Sequence, residues 1–141
     1  MSLELSNLRT IQDGEWTKLI VDVSHEGIKM DIPQNFWFAL KNENAGMFAN
    51  DVYDAFIIVP MYIAMYYKTD LRIHGFVSKR LFKNLTTYFQ KIICNFSKSF
   101  SPCKIVVDGF RDAKINLGGV ILSAQVCHAG LIRSLRFTID I

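Results

Sequence analysis

Apolar and polar positions change period several times along this chain, and each change predicts an element. The densest apolar stretch lies in the middle, where nearly every residue from Tyr53 to Tyr67 is hydrophobic. A run with no polar face to give to water predicts a helix over about 51–67 that other structure largely encloses. Asn50 or Asp51 is expected to cap it, and Pro60 to kink it by removing one backbone donor. A second helix is predicted from Lys79 to about Asn95, with Ser78 as its cap. There Leu81, Phe82, Leu85, Tyr88, Phe89 and Ile92 recur at intervals of one, three and four and form the expected buried stripe. Lys79, Lys83, Asn84 and Lys91 fall largely off it.

Period-two alternation marks the strands. Met1–Gly14 reads as a short strand with a loose end, and Asp13-Gly14 as a turn into a strand at Trp16–Val23. Ser24-His25-Glu26-Gly27 looks like a tight connection into Ile28–Ile32, so these two segments are expected to form a hairpin that Pro33 closes. Phe36–Leu40 is a short aromatic strand and Asn42–Gly46 a polar loop. Thr69–Ile73 is a strand ended by His74-Gly75, and Lys104–Val107 one ended by a turn at Asp108-Gly109. Ala113–Leu117 is a further candidate strand. The expected class is α+β, with a mixed or antiparallel sheet and two main helices.

Length and composition narrow the class without naming a chemistry. A chain of 141 residues is expected to be one domain able to bury a core without metal or disulfides, and 50% apolar content with 21% charged is a globular balance. The net charge of +3 argues for no nucleic-acid partner, since such binders gather cations on one face. Cys94, Cys103 and Cys127 fit no zinc or C-x-x-C spacing. With no signal peptide at the N-terminus, three structural thiols in the cytoplasm are expected. The run Phe56–Met65 is far short of the ~20 residues a membrane span needs. It is expected to be a core helix, with no membrane partner.

Residues of catalytic type are present but not in catalytic patterns. His25, His74 and His128 lack a partner at ligand spacing, so no metal is expected. Asp70, His74 and Ser78 are the residue types of a hydrolytic triad, yet a strand end and a helix cap rarely converge, and a capping role for Ser78 is expected. Gly118-Gly119 lacks the rest of a phosphate loop. Lys79, Arg80, Lys83 and Lys91 with their aromatic neighbours could meet an anionic polymer; a solvated helix face is the expected use. Tyr62, Tyr66 and Tyr67 are expected to pack rather than to stack a ligand.

One arrangement is familiar. The aromatic strand Phe36-Trp37-Phe38 leads to Asp54-Ala55-Phe56, then Pro60-Met61-Tyr62-Ile63-Ala64-Met65, Asp70-Leu71-Arg72-Ile73-His74-Gly75, Val77-Ser78, and Leu81 with Asn84-Leu85. This resembles the N-terminal domain of poorly characterised bacterial proteins whose C-terminal half is a PP-loop ATP pyrophosphatase of the asparagine-synthase and 7-cyano-7-deazaguanine-synthase kind. The likeness spans residues 30–110. One departure is the longer spacing between Pro60 and Ala64, where the family pattern is P-x-A-M. The resemblance implies an accessory or substrate-presenting domain for an ATP-dependent amidation, thiolation or similar ligation of an unknown small molecule. On that basis Arg72, His74, Arg80 and Asn84, near the strand–helix junction, are the expected surface site, against the plainer reading of surface and cap roles.

The family's S-G-G-x-D-S pyrophosphate loop, expected shortly after the Lys104–Phe110 segment, is absent. In its place stands Gln125–Phe137. Synonymous codons can be chosen for this peptide that read, from the third base, Gly-Leu-Ser-Cys-Gly-Val-Asp-Ser-Leu-Phe-Thr-Ile. Codon choice is free, but adjacent residues fix most of each shifted codon. The expected division is a single α+β domain over 1–118 and a tail over 119–141 of out-of-frame sequence, with 119–124 as its one candidate strand. Lacking the loop, the chain is expected to have no enzyme activity, cofactor or metal. The alternative is a small protein–protein interaction module acting as a homodimer, favoured by the apolar helix and a bare sheet edge.

Overall fold

The computed structural model describes residues 2–29 and 31–112, and as backbone strands 123–128 and 131–136. A mixed five-stranded sheet carries the fold. Strands β1 (Ser2–Asp13), β2 (Trp16–His25) and β3 (Asn35–Lys41) form an antiparallel meander. Strands β4 (Asp70–Val77) and β5 (Ile105–Phe110) add in parallel beside β1, giving the order β3-β2-β1-β4-β5. The Asp13-Gly14 turn joins β1 to β2, and Gly14 takes a φ of 59° that a side chain would resist. Beyond the sheet, β6 (Ser123–His128) and β7 (Leu131–Arg136) pair as an antiparallel hairpin, with β6 running beside β3. Of the strand expected over 119–124, residues 123 and 124 open β6, and 119–122 lie outside the described residues. Ala113–Leu117 lies outside the described residues.

Two crossovers decide where the core sits. Helix α1 (Ile58–Tyr67) links β3 to β4, and a second helical segment links β4 to β5. Parallel crossovers are right-handed, and both step across the sheet in the same direction, so both helices land on one face. Leu3, Leu5, Leu19, Val21, Leu71, Ile73 and Ile105 point from the strands into that layer. There they meet Ile57, Met61, Ala64 and Met65 from the first crossover, and Leu85 and Ile93 from the second.

Several expectations shift in detail. The first helix begins at Ile58 after a 3-10 turn at Asp54–Phe56, with neither Asn50 nor Asp51 capping it. Pro60 therefore falls in the first turn, where its missing N–H has no helical partner to lose, and the expected interior kink has no cause. Pro60, Met61, Ala64 and Met65 are buried, whereas Ile58, Val59 and Tyr66 stay exposed. Ile28 and Ile32 are buried but form no strand, because β2 already has β1 on one side and β3 on the other. His74-Gly75 does not end β4. The strand runs through it with a register shift between Ile73 and Phe76. Asp108-Gly109 likewise lies inside β5 rather than in a turn.

The second crossover is a helix in three parts: α2 (Lys79–Asn84), a π-helical turn (Leu85–Phe89) and α3 (Gln90–Phe96). Ser78 holds the N-cap position without a side-chain cap bond; its own N–H donates to Asp54 Oδ1 at 2.7 Å. The wider π turn rotates the buried seam, so that Leu85, Gln90 and Ile93 face inward. Tyr88 and Ile92, expected in the buried stripe, point to solvent instead.

Candidate functional site

With both helices on one side, the other side of the sheet presents the polar half of each strand's alternation. Leu3 and Leu5 alternate with Ser2, Glu4 and Ser6 on β1, and Leu71 and Ile73 with Arg72 and His74 on β4. The parallel register sets Glu4 beside Arg72, and Arg72 beside Val106. Two ion pairs result. His74 Nε2 lies 2.9 Å from Glu4 Oε2, and Arg72 Nη2 donates to Asp108 Oδ1 at 2.7 Å. Ser2 Oγ donates to the other Glu4 oxygen at 3.0 Å. The hydrogen bonds from His74 and Ser2, with the nearby charges of His74 and Arg72, hold the Glu4 carboxyl below its ordinary value.

The same face continues towards β3. Asp22 accepts from Asn7 Nδ2 and from Arg9 Nη1, each at 2.8 Å, and these bonds keep its carboxyl low. Asn7 stands at the bulge of β1 with a φ of 56°, a conformation Asn tolerates better than most residues. Lys18 Nζ reaches Asp13 at 2.6 Å and sits 4.9 Å from the centre of the Trp37 ring. Exposed pairs of this kind contribute at most about 1 kcal/mol each, so the face is not explained by stability. Its chemical capacity is recognition. An anionic ligand group could take Arg72 or His74 from the carboxylate that now holds it, and a cationic group could take Glu4 or Asp108.

The expected four-residue site divides into two. Arg72 and His74 lie together on this polar face, with accessible side chains. Arg80 and Asn84 are exposed on α2, which packs against the opposite face of the sheet. Glu4 and Asp108, which were not among the expected site residues, complete the polar pair set. The alternation of Ser2, Glu4 and Ser6 with Leu3 and Leu5 was the signal for Glu4.

No triad forms from Asp70, His74 and Ser78. His74 is bonded to Glu4, and Asp70 lies four residues away along an extended strand, about 13 Å. Among the described residues no group of three His, Cys, Asp or Glu side chains is placed to hold a metal. Cys94 and Cys103 are free thiols, and burial pushes Cys103 up to about 11, leaving it protonated at neutral pH. Among the described residues no helix is long and apolar enough to cross a membrane. No family model, curated protein or solved structure matches the chain.

Proposed function

We propose that this chain is a non-catalytic accessory domain of an ATP-pyrophosphatase-like protein, holding or presenting a polar small-molecule substrate through the exposed face of its sheet. The carrying observation is the one-sided sheet. Both crossover helices cover one face, and the other offers Glu4, Arg72, His74 and Asp108 as accessible, alternating charges. The sequence adds that no S-G-G-x-D-S loop is present, so the backbone donors that such a turn offers to ATP phosphates are missing. In this reading the domain works in the cytoplasm, and the residues after 119 are out-of-frame sequence standing where the loop belongs.

The test is calorimetric titration of the full chain with Mg-ATP and with AMP. Neither nucleotide is expected to give a saturable heat. Saturable binding of either contradicts the proposal.

A second reading is a small interaction module acting as a homodimer. The observation in its favour is β5, which pairs only with β4 and leaves its outer edge without a strand among the described residues. Concentration-dependent dimerisation in sedimentation would select it.

A further inference from the structure

The outer surface of the helical layer carries a second feature, on the side of the molecule away from the polar face. Tyr62 of α1 meets Phe89 and Phe100 edge-on, each with ring centres 6.0 Å apart, and Tyr66 meets Phe100 at 5.9 Å. These contacts join two stripes of identical spacing. Val59, Tyr62 and Tyr66 recur at i, i+3 and i+7 on α1, and Phe89, Ile92 and Phe96 recur at the same intervals along the second helix. The seam is floored by Tyr62, Phe89 and Phe100. Its walls remain in solvent: Val59 is 50% exposed, Tyr66 53%, Ile92 51% and Phe96 87%. Tyr88, one turn before Ile92, extends the second wall. A contiguous apolar groove of this kind marks an interaction surface.

Charge says what fits it. The α1 wall is neutral, since Ala55–Tyr67 contains no charged residue. The charged residues of the other helix are all cations: Lys79, Arg80, Lys83 and Lys91 are exposed along it, and from Arg80 to Val107 the chain has neither Asp nor Glu. We propose that this groove docks an acidic amphipathic helix of a partner protein, its apolar ridge between α1 and α3 and its carboxylates drawn to the lysines of the second helix.

Other occupants match less well. A second copy would bring an equally cation-only flank to the contact. A bilayer takes up the apolar face of a single helix, whereas this apolar surface is a seam between two, the arrangement that receives a helical ridge. Tyr88 and Phe96 stand eight residues, about 12 Å, apart on the helix with aliphatic Ile92 between them, which is no platform for successive bases. The inference does not rest on the accessory-domain reading, because it uses the opposite side of the molecule.

Fluorescence anisotropy of the full chain tests it. The probe is a labelled helical peptide of about 18 residues, with leucines along one stripe and glutamates on the flanks. The peptide is expected to bind. Ile92→Asp with Phe96→Asp should abolish binding, and Lys83→Glu with Lys91→Glu should weaken it by about tenfold or more. Both lysines are exposed, so the second variant keeps its fold, and a peptide with lysine flanks should recover the lost affinity on it. The proposal is overturned if the acidic peptide fails to bind, or binds the Lys83→Glu, Lys91→Glu variant equally well. It is also overturned if phosphatidylserine vesicles or oligo-dT bind the wild type more tightly than the peptide does. Dimerisation abolished by Phe96→Asp would overturn it in favour of a second copy.

Discussion

At Gly75, β4 and the first crossover approach each other closely. A Cβ built there would collide with the Tyr53 ring, which is itself nearly fully buried. Tyr53 cannot move aside freely. Its hydroxyl accepts the Leu8 N–H at 3.1 Å across the bulge of β1, and its own N–H donates to the Phe76 carbonyl at 2.9 Å. Overpacking at such a site costs about 1–3 kcal/mol. Gly75→Ala should therefore lower the free energy of unfolding by that amount in urea denaturation, while Gly46→Ala, where a Cβ would meet nothing, should show no such steric loss. His74-Gly75 looked like a strand terminator because Gly breaks strands on average. Here β4 resumes its pairing with β5 at Phe76 after a register shift, so the strand continues, and the glycine serves a close approach invisible in the local pattern.

At the scale of elements, the second helix depends on its π turn. The extra residue brings Gln90 to the interior, 3% exposed, where its side-chain oxygen accepts the Cys103 N–H at 2.9 Å. That bond ties the helix to the loop that leads into β5. Gln90→Leu keeps the bulk but strands a part-buried N–H, and should cost about 1–3 kcal/mol by thermal or urea unfolding. Periodicity located this helix to within a residue or two at either end. It does not reveal the turn in the middle, because a stripe at three and four assumes constant pitch and so places Tyr88 and Ile92 in the core. The same limit explains Pro60. An unbroken apolar run hides where a helix starts, and a helix that starts at Ile58 has a proline in its first turn rather than at its centre. Ile28–Ile32 alternated because both isoleucines are buried, not because a neighbouring strand was free to pair with them.

The architecture of the whole molecule follows from two right-handed crossovers that step the same way. They put both crossover helices on one face and leave alternating charges on the other. The class was legible from the sequence, since α+β needs only the order of periods. The pairing of Arg72 with Asp108 and of His74 with Glu4 was not, because it depends on β4 lying between β5 and β1, neighbours distant in sequence. Glu4 gives this face a pH dependence. Its folded value lies below the ordinary 4.5, so the stabilisation is fully present above 4.5 and is lost as the pH falls through the lowered value. Urea midpoints taken through that acid range should fall more steeply for the wild type than for Glu4→Gln; parallel curves would remove Glu4 from the account.

We propose that this fold serves as the non-catalytic partner of a pyrophosphatase-like domain, with residues 119–141 standing where that domain's phosphate loop belongs. Determining the nucleotide sequence of the gene, with a few hundred bases downstream, tests it most directly. The expected result is that the codons for Ala129–Arg133 read Gly-Val-Asp-Ser in a shifted frame, within an S-x-G-V-D-S loop followed by the rest of a pyrophosphatase domain. Codons that give no such loop in either other frame would contradict it.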